Sequence, residues 1–164
     1  MMIIDEIKEQ AKYSKVLVLS DMDGVVAEYG TNEKKSILSN HPNFYLNRRP
    51  IQTIINIYKE LSEIENITIG IVSNCFYEEQ KQDKLKWLEK HMPFVDEEFV
   101  KIIKLSEEKY DKESKDYIKS KYIEKMTKNM ECMVYFFEDD HGIIRCTQNA
   151  LPNVYTAHMS MLVK

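Results

Sequence analysis

Residues 16–30 read VLVLSDMDGVVAEYG, an apolar run that ends on two carboxylates, Asp21 and Asp23. Four apolar residues in succession suit the interior of a parallel strand covered on both faces. In an extended chain, residues i and i+2 point to the same side, so both acids are expected to face one spot. Two anions held together at the edge of a core repel each other and lose hydration. Such a pair needs a proton, a cation or a strong set of donors. The plainer alternative is that Asp23-Gly24 is only a turn.

The chain has 164 residues, 43% of them hydrophobic, and a formal net charge of -4. That is the length of one ordinary domain with a full core, so residues 1–164 are expected to fold as a single domain. The charge balance offers no basic face for duplex nucleic acid, and a phosphorylated small molecule fits better. Cys75, Cys132 and Cys146 are odd in number and show no CxxC spacing. Reduced thiols in a cytoplasmic protein are therefore expected, and a zinc site is not. The start, MMIIDEIKEQ, is interrupted by Asp5 and Glu6 and lacks the apolar core of a signal peptide. No segment is long and apolar enough to cross a bilayer, so no membrane partner is expected.

Strand-like runs fall near 15–21, 67–73, 99–106, 132–139 and 153–157, with amphipathic helical patterns between them. Those patterns are PIQTIINIYKELSEI, in which Pro50 suits a first helical turn, then EEQKQDKLKWLEKHM, ESKDYIKSKYIEKMTKN and the shorter GIIRCTQNA. Alternation of this kind implies right-handed crossovers and a mostly parallel five-stranded sheet with helices on both faces. Residues 25–50 break the alternation as an insert of about two dozen residues between the first strand and its crossover helix. Such βα loops lie over the carboxyl ends of the strands, where ligands bind.

Polar residues gather at the same ends. The second run closes on Ser73-Asn74, the fourth on Glu138-Asp139-Asp140, and a lysine-bearing helix follows the third. If the first and fourth strands are neighbours where the strand order reverses, Asp21, Asp23, Asp139 and Asp140 converge in one crevice. Four carboxylates there need a cation, and hard oxygen donors suit Mg²⁺.

LVLSDMDGVV, IGIVSN, a lysine in the 109–115 region and YFFEDD resemble the four motifs of the haloacid dehalogenase (HAD) superfamily, in order and over nearly the whole chain. The resemblance implies a three-layer Rossmann-like fold with strand order 5-4-1-2-3 and a small cap at 25–50. It implies phosphoryl transfer, because the second acid of the first motif is Asp23. Asp21 would be the nucleophile and Asp23 the general acid and base; Ser73 would hold a phosphoryl oxygen, and a lysine would neutralise charge. Lys115, which opens a helical pattern, is preferred to Lys109, which lies nearer the strand end. Asp21, Asp23, Asp139 and Asp140 would hold Mg²⁺, with Glu138 the alternative to Asp140. A carboxylate attacks a phosphate only once charge is neutralised, and a covalent aspartyl-phosphate divides one hard displacement into two.

The short insert implies an open site. Phe44, Tyr45 and Arg48, with Asn74, are the expected substrate contacts, since rings stack bases and arginine forks phosphates. WLEKHMPF is similar to a stretch of the small 5'-deoxyribonucleotidases of the superfamily. A nucleoside monophosphate is the leading substrate, with sugar phosphates, phosphoproteins and nucleic-acid ends as alternatives. His141, after the acidic pair, is a further candidate for the site lining; the run Tyr135, Phe136, Phe137 reads as core. A phospho-accepting receiver module is disfavoured, because it would place its acidic pair on the first strand and a lone aspartate on the third. A HAD-fold phosphate-binding protein without activity is the remaining rival.

Overall fold

The five apolar runs form one all-parallel sheet. The computed structural model describes residues 2–29 and 45–163. Strands β1 (Val16–Ser20), β2 (Ile67–Cys75), β3 (Val100–Lys104), β4 (Met133–Glu138) and β5 (Val154–His158) lie in the order β3-β2-β1-β4-β5. This is the expected order, read from the other edge. β1 is central and buried throughout, paired with β2 on one side and β4 on the other. The chain runs outward from β1 to β3 and then returns to the far side of β1 as β4. A crevice is expected at the carboxyl ends of β1 and β4, where the order reverses.

Period-two alternation sorts the strand side chains between two cores. Val16 and Val18 of β1, with Tyr135 and Phe137 of β4, pack on one face. There they meet helices α1 (Ile3–Gln10), α2 (Gln52–Ser62) and α3 (Glu78–His91). Leu17, Leu19, Val134 and Phe136 pack on the other face, against α4 (Ile118–Thr127) and the edge of α5 (His141–Ala150). Tyr135, Phe136 and Phe137 are core, as their run suggested. The opening segment forms α1 because Ile3 and Ile7 share one helical face and bury there. No helix of the described residues is long and apolar enough to cross a membrane.

Two boundaries move from their sequence positions. Pro50 does not begin a helix; it forms an antiparallel bridge with Ala27, and Ile51 precedes the first helical residue. The insert is also shorter at its start than 25–50, because Val25, Val26 and Ala27 are fully buried in the core. Its two ends are closed by Glu28 N–H donating to the Arg49 carbonyl (2.9 Å) and Ile51 N–H to that of Val26 (2.7 Å). Phe44 lies outside the described residues.

Gly24 sets the turn that leads from β1 into this root. Its φ is +78°, and a Cβ there would stand 2.2 Å from Asp139 Oδ2 and 2.6 Å from Tyr29 Cε2. A side chain would be strained by the backbone and would push on the Asp139 carboxylate and the Tyr29 ring as well. Gly24→Ala should therefore cost about 2 kcal/mol, read as a fall in Tm of roughly 4–8 °C. An unchanged Tm would mean that this turn tolerates a Cβ.

Candidate active site

The sheet register explains how the acids are divided. Ser20 pairs with Phe137, and Asp21 N–H donates to the Phe137 carbonyl (2.9 Å), so Asp21 and Glu138 come next on adjacent strands. Each lies two residues beyond a side chain, Leu19 or Phe136, that packs on the α4 face. Both therefore turn toward α4, where Lys119 meets them. Its Nζ is 2.8 Å from Asp21 Oδ1 and 2.6 Å from Glu138 Oε2, with all three side chains buried. Burial alone would lower the lysine pKa; the charges of Asp21 and Glu138 outweigh it and hold it well above the ordinary range. Burial and the Asp21 charge push Glu138 up, to about 9, against the pull of Lys119.

Asp23 lies in a different environment. β1 ends at Ser20, so the two acids do not share a face as residues of one strand; a turn directs Asp23 to the opposite layer. There Arg48 Nη1 donates to Oδ1 (2.6 Å) and Lys84 Nζ to Oδ2 (2.7 Å). Lys84 has a fully buried side chain and also donates to Ser73 Oγ (2.9 Å) and the Asn74 carbonyl (2.7 Å). Ser73 pairs with Ile102, a residue of the α3-side core, so its hydroxyl faces the layer that supplies Lys84. Burial works to raise the Asp23 pKa, but Lys84 and Arg48 overcome it and hold the carboxyl below its ordinary value.

The root of the insert is built into this cluster. Tyr45 is buried, with Arg48 and Lys84 at 4.5 and 4.6 Å from its ring centroid. Burial, then the Asp23 charge, raises its phenol to about 12. Trp87 Nε1 of α3 donates to the Arg48 carbonyl (2.9 Å). Arg48, expected as a phosphate fork, thus engages Asp23, and Tyr45 forms the wall behind the two cations. The side-chain Oδ1 of Asn74 is buried with no hydrogen-bond partner among the described residues.

The acidic run at the end of β4 splits three ways. Glu138 faces Lys119, and its Oε1 also accepts from the backbone N–H groups of Asp139 (3.0 Å) and Asp140 (3.2 Å). Asp139 takes the other side, where the Tyr29 hydroxyl donates to Oδ2 (2.6 Å). Asp140 is exposed and caps α5 by accepting from Gly142 N–H (2.8 Å) and Ile143 N–H (3.2 Å). Ligand atoms from Asp21, Glu138 and Asp139 all lie within 4.8 Å of one another. This all-oxygen set suits a hard divalent cation. Glu138 is already satisfied by three donors, which leaves Asp21 and Asp139 as the carboxylates best able to hold an ion. The side chains of Asp23 and Asp140, expected as metal ligands, are committed elsewhere.

Lys115 is not brought to the acids. It is exposed at the start of a 3-10 turn, Lys115–Tyr117, and α4 begins only at Ile118. Lys109 is exposed as well. Lys119, one helical turn beyond Lys115, takes the place expected of either. Its signal was present in the sequence: Lys119 precedes the buried Ile123 by four residues, on one helix face. Lys84 likewise lies on the stripe Gln80, Lys84, Trp87, Leu88, an inward face interrupted by a cation. His141 stacks on His158, ring centroids 5.1 Å apart. No protein-family model matches the chain, and no curated protein is significantly similar to it.

The two clusters make separate predictions. Lys119→Met leaves Asp21 and Glu138 buried without their cation and should cost about 3–5 kcal/mol by denaturant unfolding. Glu138→Gln in that background should recover part of the loss; a purely additive cycle would mean that the pair is not coupled. For Asp23, the folded pKa lies below the unfolded value of 3.8, so its stabilisation is present above that value and is lost as pH falls through the folded one. In metal-free protein, the Tm gap between wild type and Asp23→Asn should be widest near neutrality and close on acidification below 3.8. A gap independent of pH would contradict the ionised clamp.

Proposed function

We propose that this protein is a divalent-cation-dependent phosphomonoester hydrolase of the HAD type that works through an aspartyl-phosphate on Asp21. One observation carries the reading. At the carboxyl end of the central strand, beside the reversal of strand order, a buried carboxylate is matched to a buried lysine, 2.8 Å from Asp21, with a further acid in reach. Charge compensation of this kind is what a carboxylate needs to attack a phosphate.

In the proposed reaction, Asp21 attacks phosphorus, the bond from phosphorus to the leaving oxygen breaks, and that oxygen takes a proton from Asp23. Water then gives a proton to Asp23 as it attacks the aspartyl-phosphate, and the bond to Asp21 breaks to release phosphate. Ser73 and Lys84 donate to the phosphoryl oxygens. Mg²⁺ held by Asp21 and Asp139 would neutralise phosphoryl charge when bound. The clamp on Asp23 suits the base half of the cycle. The acid half follows when substrate oxygens draw Lys84 away, because loss of a neighbouring cation raises a carboxyl pKa.

With Arg48 committed to Asp23, substrate selection falls to other groups on the rim. Phe76 and Tyr77, which follow the end of β2, present exposed rings there. These favour a nucleoside monophosphate over a bare sugar phosphate. The three free thiols suit a reducing, cytoplasmic setting. The Asp23 clamp also favours a second reading, a phosphate-binding protein that does not turn over.

A panel of nucleoside monophosphates, sugar phosphates, phosphopeptides and phosphorylated oligonucleotide ends, assayed in Mg²⁺ and in excess EDTA, separates the two readings. Metal-dependent hydrolysis is expected, abolished by Asp21→Asn together with beryllofluoride binding. Phosphate binding with no turnover on any substrate would establish the second reading instead. A steady rate in EDTA, or an active Asp21→Asn, would overturn the mechanism.

A further inference from the structure

Tyr29 stands where the chain leaves the core for the insert, and nothing in the chemistry above uses it. Its hydroxyl donates to Asp139 Oδ2 at 2.6 Å, a short charge-assisted bond across 110 positions of sequence. The ring lies over Gly24: a Cβ there would meet Tyr29 Cε2 at 2.6 Å and Asp139 Oδ2 at 2.2 Å. The bare glycine thus makes room for the carboxylate and the ring together. Tyr29 is 47% exposed, so its ring lies at the surface while its hydroxyl reaches the end of β4.

Among the described residues, Asp139 has few other constraints on its side chain. Glu138 is held from three sides and Asp140 by its helix, whereas the Asp139 carboxylate is anchored at Oδ2 by Tyr29. With one oxygen occupied, rotation of the carboxylate is restricted and the other oxygen is left to coordinate. Partners of this kind orient a ligating carboxylate, and their loss typically lowers metal affinity about 10–100-fold.

We infer that Tyr29 is a positioning residue for the metal site, holding Asp139 in the orientation that coordinates the cation. The inference rests on the metal reading proposed above.

The test is calorimetric titration of Mg²⁺ into metal-free wild type, Tyr29→Phe and Asp139→Asn, with thermal melts of each in EDTA. Tyr29→Phe keeps the ring and removes only the hydroxyl. Wild type should bind one ion, Asp139→Asn none, and Tyr29→Phe should bind roughly 10-fold or more weakly with an unchanged metal-free Tm. In turnover, the half-saturating Mg²⁺ concentration should rise while kcat at saturating Mg²⁺ stays near wild type. Equal Mg²⁺ affinity in wild type and Tyr29→Phe would overturn the positioning role and leave the metal reading intact. An affinity loss that tracks a fall in metal-free Tm would assign Tyr29 to the fold and overturn it as well. A wild type that binds no Mg²⁺ would overturn the metal reading itself, and this inference with it.

Discussion

A carboxylate withdrawn from water at the end of a central strand needs a proton, a cation or a strong set of donors, and here a buried lysine answers that need twice, from opposite layers. Lys119 reaches Asp21 and Glu138 from α4; Lys84 reaches Asp23 and Ser73 from α3. Each lysine gives up hydration that its ion pairs only partly return, so neither pair is a strong source of stability. The two apolar cores bear that cost. The ion pairs fix where the helices stand relative to the rim, because a displaced lysine would leave a charge without its partner.

Placement in different layers gives chemically similar acids different characters. Asp21 shares one buried ammonium with a second carboxylate, and the pair between them is held by a lysine that stays protonated. Asp23 has two cations to itself and is held ionised. The insert takes part in this arrangement. Its returning end supplies Arg48 to Asp23 and is fastened to α3 through Trp87, while its leaving end supplies Tyr29 to Asp139.

Much of the architecture was legible in the residues themselves. Apolar runs of strand length, alternating with amphipathic segments, define five parallel strands and the crossovers between them. The rule that ligand sites lie at strand carboxyl ends brings Asp21, Ser73 and the acids after β4 to one rim. Each of these positions depends on local periodicity and on a topological rule with few exceptions, so a single sequence suffices to place it.

What the sequence could not decide is which side chain of a run turns inward. Glu138, Asp139 and Asp140 are consecutive and chemically alike, yet the register with β1 sends Glu138 toward Lys119, Asp139 toward Tyr29 and Asp140 to a helix cap. Lys115 and Lys119 differ by one helical turn, about 5.4 Å. A 3-10 turn ahead of α4 decides between them by setting where the helix begins. Asp23 parts from Asp21 because β1 stops at Ser20 and Gly24 turns the chain toward Arg48 and Lys84. Residue type and spacing determined that charge would collect at this rim. Only the packed structure decided which charges pair, because pairing depends on contacts between elements far apart in sequence, where a shift of one residue in a strand or one turn in a helix exchanges the partners.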